Sequence, residues 1–330
     1  MDAATGQVLY GKNEHQERPP ASTTKMMTAL LAVEGGDLSR VVTVSEKAAS
    51  VGEASIDLRA GEKISLEDLV YGAMLESGND ACVAIAESIA GTEANFVLFM
   101  NQKAKLLGAR HTQYKNPNGL PLPGHYSTAY DLALIARHAL NNPLFARVAG
   151  TREKVIGLEY KRLAVNTNGL LWGYPGADGV KTGTTNEAGR CLVASATRDG
   201  RRLISVVLHS DDRYGDCAKL LDYGFNCFET VRAVEKGAPL GEFPVAGGSE
   251  PVVRVLAADD VTVVIPKGAS GVIEKTVRVD GDLAAPVAAG QRVGRVDVSV
   301  GGVTAGSAPL ITAAGVAPRA QGRFFFQRRG

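Results

Sequence analysis

Residues 20–36 read Pro-Ala-Ser-Thr-Thr-Lys-Met-Met-Thr-Ala-Leu-Leu-Ala-Val-Glu-Gly-Gly. A serine ahead of an apolar run and glycines behind it are boundary signals, so a helix is expected from Thr23 to about Glu34. On a helix, positions i and i+3 share a face, which puts the Lys25 nitrogen within reach of the Ser22 oxygen. A serine hydroxyl is a poor nucleophile until a neighbouring base takes its proton. Lysine can be that base only if its pKa falls from about 10.4 toward neutrality. Burial and a second nearby cation both push it down, and a drop of roughly 3 units amounts to about 4 kcal/mol. By itself the spacing is common, and an N-cap serine beside a solvated lysine fits it as well.

Two further motifs lie downstream. Ser77-Gly78-Asn79 joins an apolar segment, Leu69 to Leu75, to the next helix. Its hydroxyl and amide could bridge two lysines and hold a substrate amide, although Ser, Gly and Asn are also ordinary turn residues. Lys181-Thr182-Gly183-Thr184 lies in a stretch that reads as a strand. There a carboxylate could meet Lys181 and Thr182, and backbone amides beside Gly183 could stabilise an oxyanion. The order Ser-x-x-Lys, Ser-x-Asn, Lys-Thr-Gly is the shared signature of class A β-lactamases and penicillin-binding proteins.

Around these motifs the chain reads as α+β. Gly6 to Tyr10 is expected to be a strand. Ser65 caps the Leu69–Leu75 segment, and helices are expected at Asn79 to Ala90, Asn95 to Leu107, and Ser127 to about Leu140. Two β-branched runs, Leu192 to Thr197 and Arg202 to Leu208, form a hairpin about Arg198-Asp199-Gly200. A closing helix spans Lys219 to Phe228. Strands at both ends with helices between them argue against an alternating βαβ sheet. The composition shifts at about Ala233. Five short alternating runs follow, from Val252 to Ile311, and imply a small all-β sandwich. The expected organisation is thus 1–232 catalytic, 233–322 β-rich, and an aromatic and basic tail at 323–330 that could touch a membrane surface.

Composition narrows the function classes. The 330 residues carry 36 Lys+Arg against 35 Asp+Glu, without a basic stripe, so nucleic acid is not the expected partner. No apolar run is long enough to span a bilayer as a helix, and no signal peptide is visible. Cys82, Cys191, Cys217 and Cys227 show no Cys-x-x-Cys spacing and, with five scattered histidines, no zinc pattern. They read as buried free thiols, with a Cys217–Cys227 disulfide the alternative. Neither a cofactor nor a metal is expected.

The residues around the motifs resemble those of the low-molecular-mass, class C penicillin-binding proteins that act as D-Ala-D-Ala carboxypeptidases. The likeness runs through Asp2-Ala3-x-Thr5-Gly6-x-Val8-Leu9-Tyr10, Pro20 to Thr28, Ser77 to Cys82, Asn118-Gly119-Leu120, Asp178 to Gly183 and Ala194 to Thr197. It covers nearly the whole chain, including the β-rich module. It implies a β-lactamase/transpeptidase-like catalytic domain, an antiparallel sheet with helices plus a helical subdomain. It also implies that Ser22 attacks the carbonyl between the terminal D-alanines of a peptidoglycan pentapeptide stem, with Lys25 as proton acceptor. Ser77 and Lys181 would relay protons, Asn79 would position the peptide, and backbone N–H groups of Ser22 and Thr184 would form the oxyanion hole. Thr182 and Arg213 would hold the terminal carboxylate beside Gly183, and β-lactams would acylate Ser22 as mimics. An extracytoplasmic location follows from the same likeness. Against the family pattern this chain looks short at its N-terminus, has Thr184 where relatives carry histidine or tyrosine, and has only the 323–330 tail as an anchor.

A class A β-lactamase shares the motifs but needs a glutamate with an asparagine close by on a loop before the Lys-Thr-Gly strand. Neither Glu153 nor Glu159 has an asparagine at that spacing. A D,D-endopeptidase would use the same residues, and a cell-wall scaffold could keep the pocket without the chemistry. A histidine-dependent hydrolase is disfavoured, because no histidine accompanies a Gly-x-Ser-x-Gly elbow.

Overall fold

The computed structural model describes residues 1–320, so the 323–330 tail lies outside the described residues. Two compact units divide at Asn226/Cys227.

In the first unit the helices are α1 Lys25–Glu34, α2 Glu46–Ala49, α3 Leu66–Met74, α4 Asn79–Ala90, α5 Glu93–Leu106, α6 Ala129–Leu140, α7 Pro143–Gly150, α8 Leu170–Gly173 and α9 Arg213–Cys227. Strands β1 Val41–Thr43 and β2 Lys63–Ser65 pair, as do β3 Glu153–Ile156 and β4 Arg162–Val165. Strands β5 Ala177–Thr185, β6 Gly189–Arg198 and β7 Arg201–Ser210 form an antiparallel sheet in that order. Helix α1 is apolar nearly all round, as a helix enclosed by core must be. It is packed within a cluster that takes in Leu69, Ile85, Phe96 and Ile135 from other helices and Val180, Val193 and Ile204 from the sheet. Lys25 therefore opens a helix that the core encloses.

Local chemistry sets the boundaries. A short 3-10 turn, Ala21–Thr24, leads into α1, and the Thr23 hydroxyl donates back to Pro20 O at 2.7 Å. Ser65 and Thr128 accept from the backbone N–H groups of Asp68 and Asp131, both at 3.0 Å, and so cap α3 and α6. Asp178 accepts from Ser195 Oγ and Thr197 Oγ1, each at 2.6 Å, and from Arg202 Nε at 3.0 Å. That carboxylate pins the start of β5 to β6 and β7.

The structure corrects several expectations. Gly6 to Tyr10 is not a strand: the Asp2 and Gly6 N–H groups close a turn onto Gln7 O and Asp2 O, and an isolated Asp2↔Leu203 bridge joins this end to β7. Without a ladder, Val8 and Tyr10 stay exposed. The closing helix begins at Arg213, because Asp212 Oδ1 accepts from Gly215 N at 3.0 Å and starts it earlier. All four cysteines are free, as expected, but Cys227 is exposed and not buried. Cys217 and Cys227 lie on one helix, where ten residues of rise separate them by about 15 Å, beyond the reach of a disulfide.

The second unit is all-β, with β8 Phe228–Val234, β9 Pro239–Ala246, β10 Val252–Ala257, β11 Val261–Pro266, β12 Ile273–Val279, β13 Leu283–Ala284, β14 Arg292–Val300 and β15 Val303–Thr312. One sheet runs β12-β14-β15-β10-β9-β13, and β11 pairs with β8. Both sheets contribute to one apolar cluster containing Val255, Val263, Val296 and Leu310. Because β8 pairs with β11, the break falls before Cys227, whereas composition put it after Arg232.

Candidate active site

Ser22 sits in the 3-10 turn and Lys25 is the first residue of α1. Lys25 is fully buried, and its Nζ lies 2.8 Å from Ser22 Oγ, 2.8 Å from Asn79 Oδ1 and 2.6 Å from Asn118 O. Of these partners, the amide and peptide oxygens are acceptors only. A neutral Lys25 amine would therefore give its two hydrogens to Asn79 and Asn118, leaving its lone pair for the Ser22 O–H. The backbone at Ala21 is left-handed, with φ +48°, a strained setting of the kind that gathers at functional sites.

Asn79 opens α4, where its N–H donates to Ala54 O at 2.8 Å and its Nδ2 to Gly52 O at 3.0 Å. Next to it Asp80 is buried and accepts from Ser55 Oγ at 2.6 Å and from the Ile56 and Leu58 N–H groups, each at 3.1 Å. These bonds hold the 52–58 segment against the site. Ser77 is half-buried with φ +66°. Its hydroxyl makes no hydrogen bond to either lysine; Asn79 alone of this motif makes one, to Lys25.

Strand β5 carries Lys181, Thr182, Gly183 and Thr184. Lys181 is buried and its Nζ has no hydrogen-bond partner. Thr182 Oγ1 lies 2.6 Å from Thr167 Oγ1. A Cβ on Gly183 would stand 2.9 Å from Ser22 N and 3.1 Å from Pro20 O, so the missing side chain lets β5 close on the nucleophile turn. Arg213 Nη1 donates to Thr184 Oγ1 at 2.8 Å and to Gly183 O at 3.2 Å, bringing the start of α9 to the same strand.

Electrostatics follow from enclosure. Burial pulls Lys25 down to about 8, against the opposing pull of Asp80 and Glu53. Burial pulls Lys181 down to about 7, and the charges of Lys25 and Arg213 add to the shift. The Cys82 thiol is pushed up to about 12 by burial, which rules it out as a nucleophile at neutral pH. His125 is held down to about 4 by burial. Its Nδ1 accepts from Lys115 N at 3.4 Å, so its Nε2–H donates to Thr24 Oγ1 at 3.0 Å. Its contact with Thr24 packs it against the Ala21–Thr24 turn.

Three contributors escaped motif reasoning. The Asn118 carbonyl is a backbone group, and the resemblance through Asn118-Gly119-Leu120 was its one signal. Asn116 shapes that loop, accepting from Gly119 N at 2.7 Å and donating to Leu120 O at 2.8 Å. Thr167 precedes β5 in a stretch without periodicity, and nothing in its own residue type flags it.

Residues 1–212 match the family described as D-alanyl-D-alanine carboxypeptidase, and residues 228–317 match the penicillin-binding protein 5 C-terminal domain. The D-alanyl-D-alanine carboxypeptidase DacF of Bacillus subtilis is 37% identical over 321 residues, covering 94% of this chain and 82% of that protein. Penicillin binding protein 5 of Haemophilus influenzae superposes with a TM-score of 0.83 at 35% identity, covering 96% of each chain. A Streptomyces DD-transpeptidase, 34% identical, covers 68% of this chain and 95% of its own with a TM-score of 0.65. The motifs, the meeting of Lys25 with Ser22 and Asn79 beside β5, and these matches together make the chain a member of the D-alanyl-D-alanine carboxypeptidase family.

Proposed function

We infer that the protein is a serine D-Ala-D-Ala carboxypeptidase that removes the terminal D-alanine from peptidoglycan pentapeptide stems, and that β-lactams acylate it at the same serine. The observation that carries this reading is the Lys25 amine, buried and 2.8 Å from Ser22 Oγ, with acceptor oxygens for its two hydrogens. As Ser22 Oγ bonds to the carbonyl carbon between the two D-alanines, its proton passes to Lys25 Nζ. The C–N bond breaks, the proton goes to the leaving amine, and D-alanine departs. Water then adds to the ester carbon, and Ser22 regains its proton.

The remaining roles follow the geometry. The Ser22 and Thr184 N–H groups would receive the oxyanion, which the close approach at Gly183 supports. Thr182, with Arg213 behind Thr184, would hold the terminal carboxylate. Lys181 and Ser77 would relay protons toward the leaving amine, and Asn79 would align the peptide. Such a substrate lies outside the cytoplasmic membrane, so the enzyme works there, and the 323–330 tail is the segment we assign to membrane contact.

Mass spectrometry of digested peptidoglycan discriminates the readings. Free D-alanine and tetrapeptide stems are expected. Cleaved cross-links without D-alanine would instead make the enzyme a D,D-endopeptidase.

A further inference from the structure

We propose that Thr167 is a positioning residue for the substrate's terminal carboxylate, acting through Thr182. The proposal rests on the carboxypeptidase reading above. Thr167 stands between two buried asparagines that clamp it in place. Asn166 Nδ2 donates to Thr151 O at 2.9 Å, and Asn168 Nδ2 donates to Gly179 O on β5 at 2.8 Å. The backbone of Thr167 is fixed as well. Its N–H donates to Leu75 O at 3.1 Å, just before the Ser77-Gly78-Asn79 motif, and its carbonyl accepts from Tyr214 Oη at 2.8 Å, beside Arg213. One residue thus ties together the elements carrying three parts of the site, while remaining exposed itself.

The hydroxyl contact gives this placement a chemical consequence. Two hydroxyls 2.6 Å apart share one hydrogen bond, so one of them spends its proton on the other. If Thr182 spent its proton on Thr167, it would have none for a substrate. An anionic carboxylate in the cleft favours the opposite order, Thr167 to Thr182 to carboxylate, because a charge-assisted bond is the stronger one and bonds in series reinforce each other. The Thr167 hydroxyl therefore aims the Thr182 proton outward at the carboxylate.

The test uses the full chain and a D-Ala-D-Ala peptide as the free acid and as the C-terminal amide. Thr167→Val is expected to lower kcat/KM for the acid roughly tenfold, the loss carried by KM and not kcat. The already poor turnover of the amide should be unchanged, and Thr167→Ser should restore the acid. In a Thr182→Val background, Thr167→Val should add almost nothing. Thermal melts of each variant accompany the kinetics, and Thr167→Ala replaces valine if the latter fails to fold. An equal loss on acid and amide, an undiminished loss in the Thr182→Val background, or no restoration by serine overturns the proposal alone. If the wild type cleaves the acid and the amide equally, releasing D-alanine from one and D-alanine amide from the other, the carboxylate role of Thr182 fails, and this proposal with it.

Discussion

In the proposed mechanism Lys25 decides the chemistry, because enclosure and hydrogen bonding act on it together. Burial brings its pKa to about 8, and the base is the neutral amine, so acylation is expected to speed up as pH rises through that value. Stopped-flow acylation by a chromogenic β-lactam should show this rise, and Lys25→Ala should be slower by about 10²–10⁴-fold at every pH. A flat pH profile would remove Lys25 as the base. Lys181 gives a stability prediction. Unfolding returns it from about 7 to 10.5, so between those values the unfolded chain binds more protons, and stability rises with pH across that window. Chemical denaturation should show the rise in wild type and a shallower one in Lys181→Met; equal slopes would contradict the buried, unpartnered placement. At this scale the sequence was most informative where residue type and spacing fix a placement, as with the Lys25 nitrogen within reach of the Ser22 oxygen. The Asn118 carbonyl was hidden, since any residue has one. The bridge from Ser77 to the lysines that the motif suggested is not formed, and spacing does not record the left-handed backbone, φ +66°, that Ser77 adopts.

At the scale of elements, the site depends on backbones meeting where side chains are absent. A Cβ on Gly119 would lie 2.0 Å from Ala21 O, and its φ is +92°. Gly119→Ala is therefore expected to cost about 1–3 kcal/mol in stability from overpacking, with further strain from the backbone. It should also slow acylation by displacing both the Ser22 turn and the Asn118 carbonyl. Denaturant melts and penicillin labelling check this, and a variant with wild-type values in both would mean the loop does not brace the turn. Helices were legible where caps and apolar runs coincide, as at Ser65 and Thr128. The expected strand at Gly6 to Tyr10 was not realised, because a strand is defined by its partner, and after the turn at Asp2 to Gln7 the segment forms no ladder although Leu9 packs near Leu203. Short elements such as α7 and the β3–β4 hairpin lack enough residues to show a period.

For the whole molecule, the two-part organisation was visible in composition, while its boundary was not. The β8 strand sits in sequence beside α9 but pairs with β11, a long-range choice that local patterning does not reveal. Every residue assigned to the site lies within Met1–Asn226. A chain ended at Asn226 is thus expected to retain covalent labelling by penicillin at a rate near that of the full chain. Loss of labelling in a truncated chain with a native circular dichroism spectrum would show that the second unit contributes to the chemistry.

The acyl-enzyme itself is the most direct object to measure. The full chain is incubated with a β-lactam and digested, and the modified peptide is sequenced by mass spectrometry, alongside a D-alanine release assay on a pentapeptide. The adduct should fall on Ser22, and Ser22→Ala should lose both adduct and D-alanine release. An adduct on another residue, or D-alanine release that survives Ser22→Ala, would overturn the assignment of Ser22 as nucleophile.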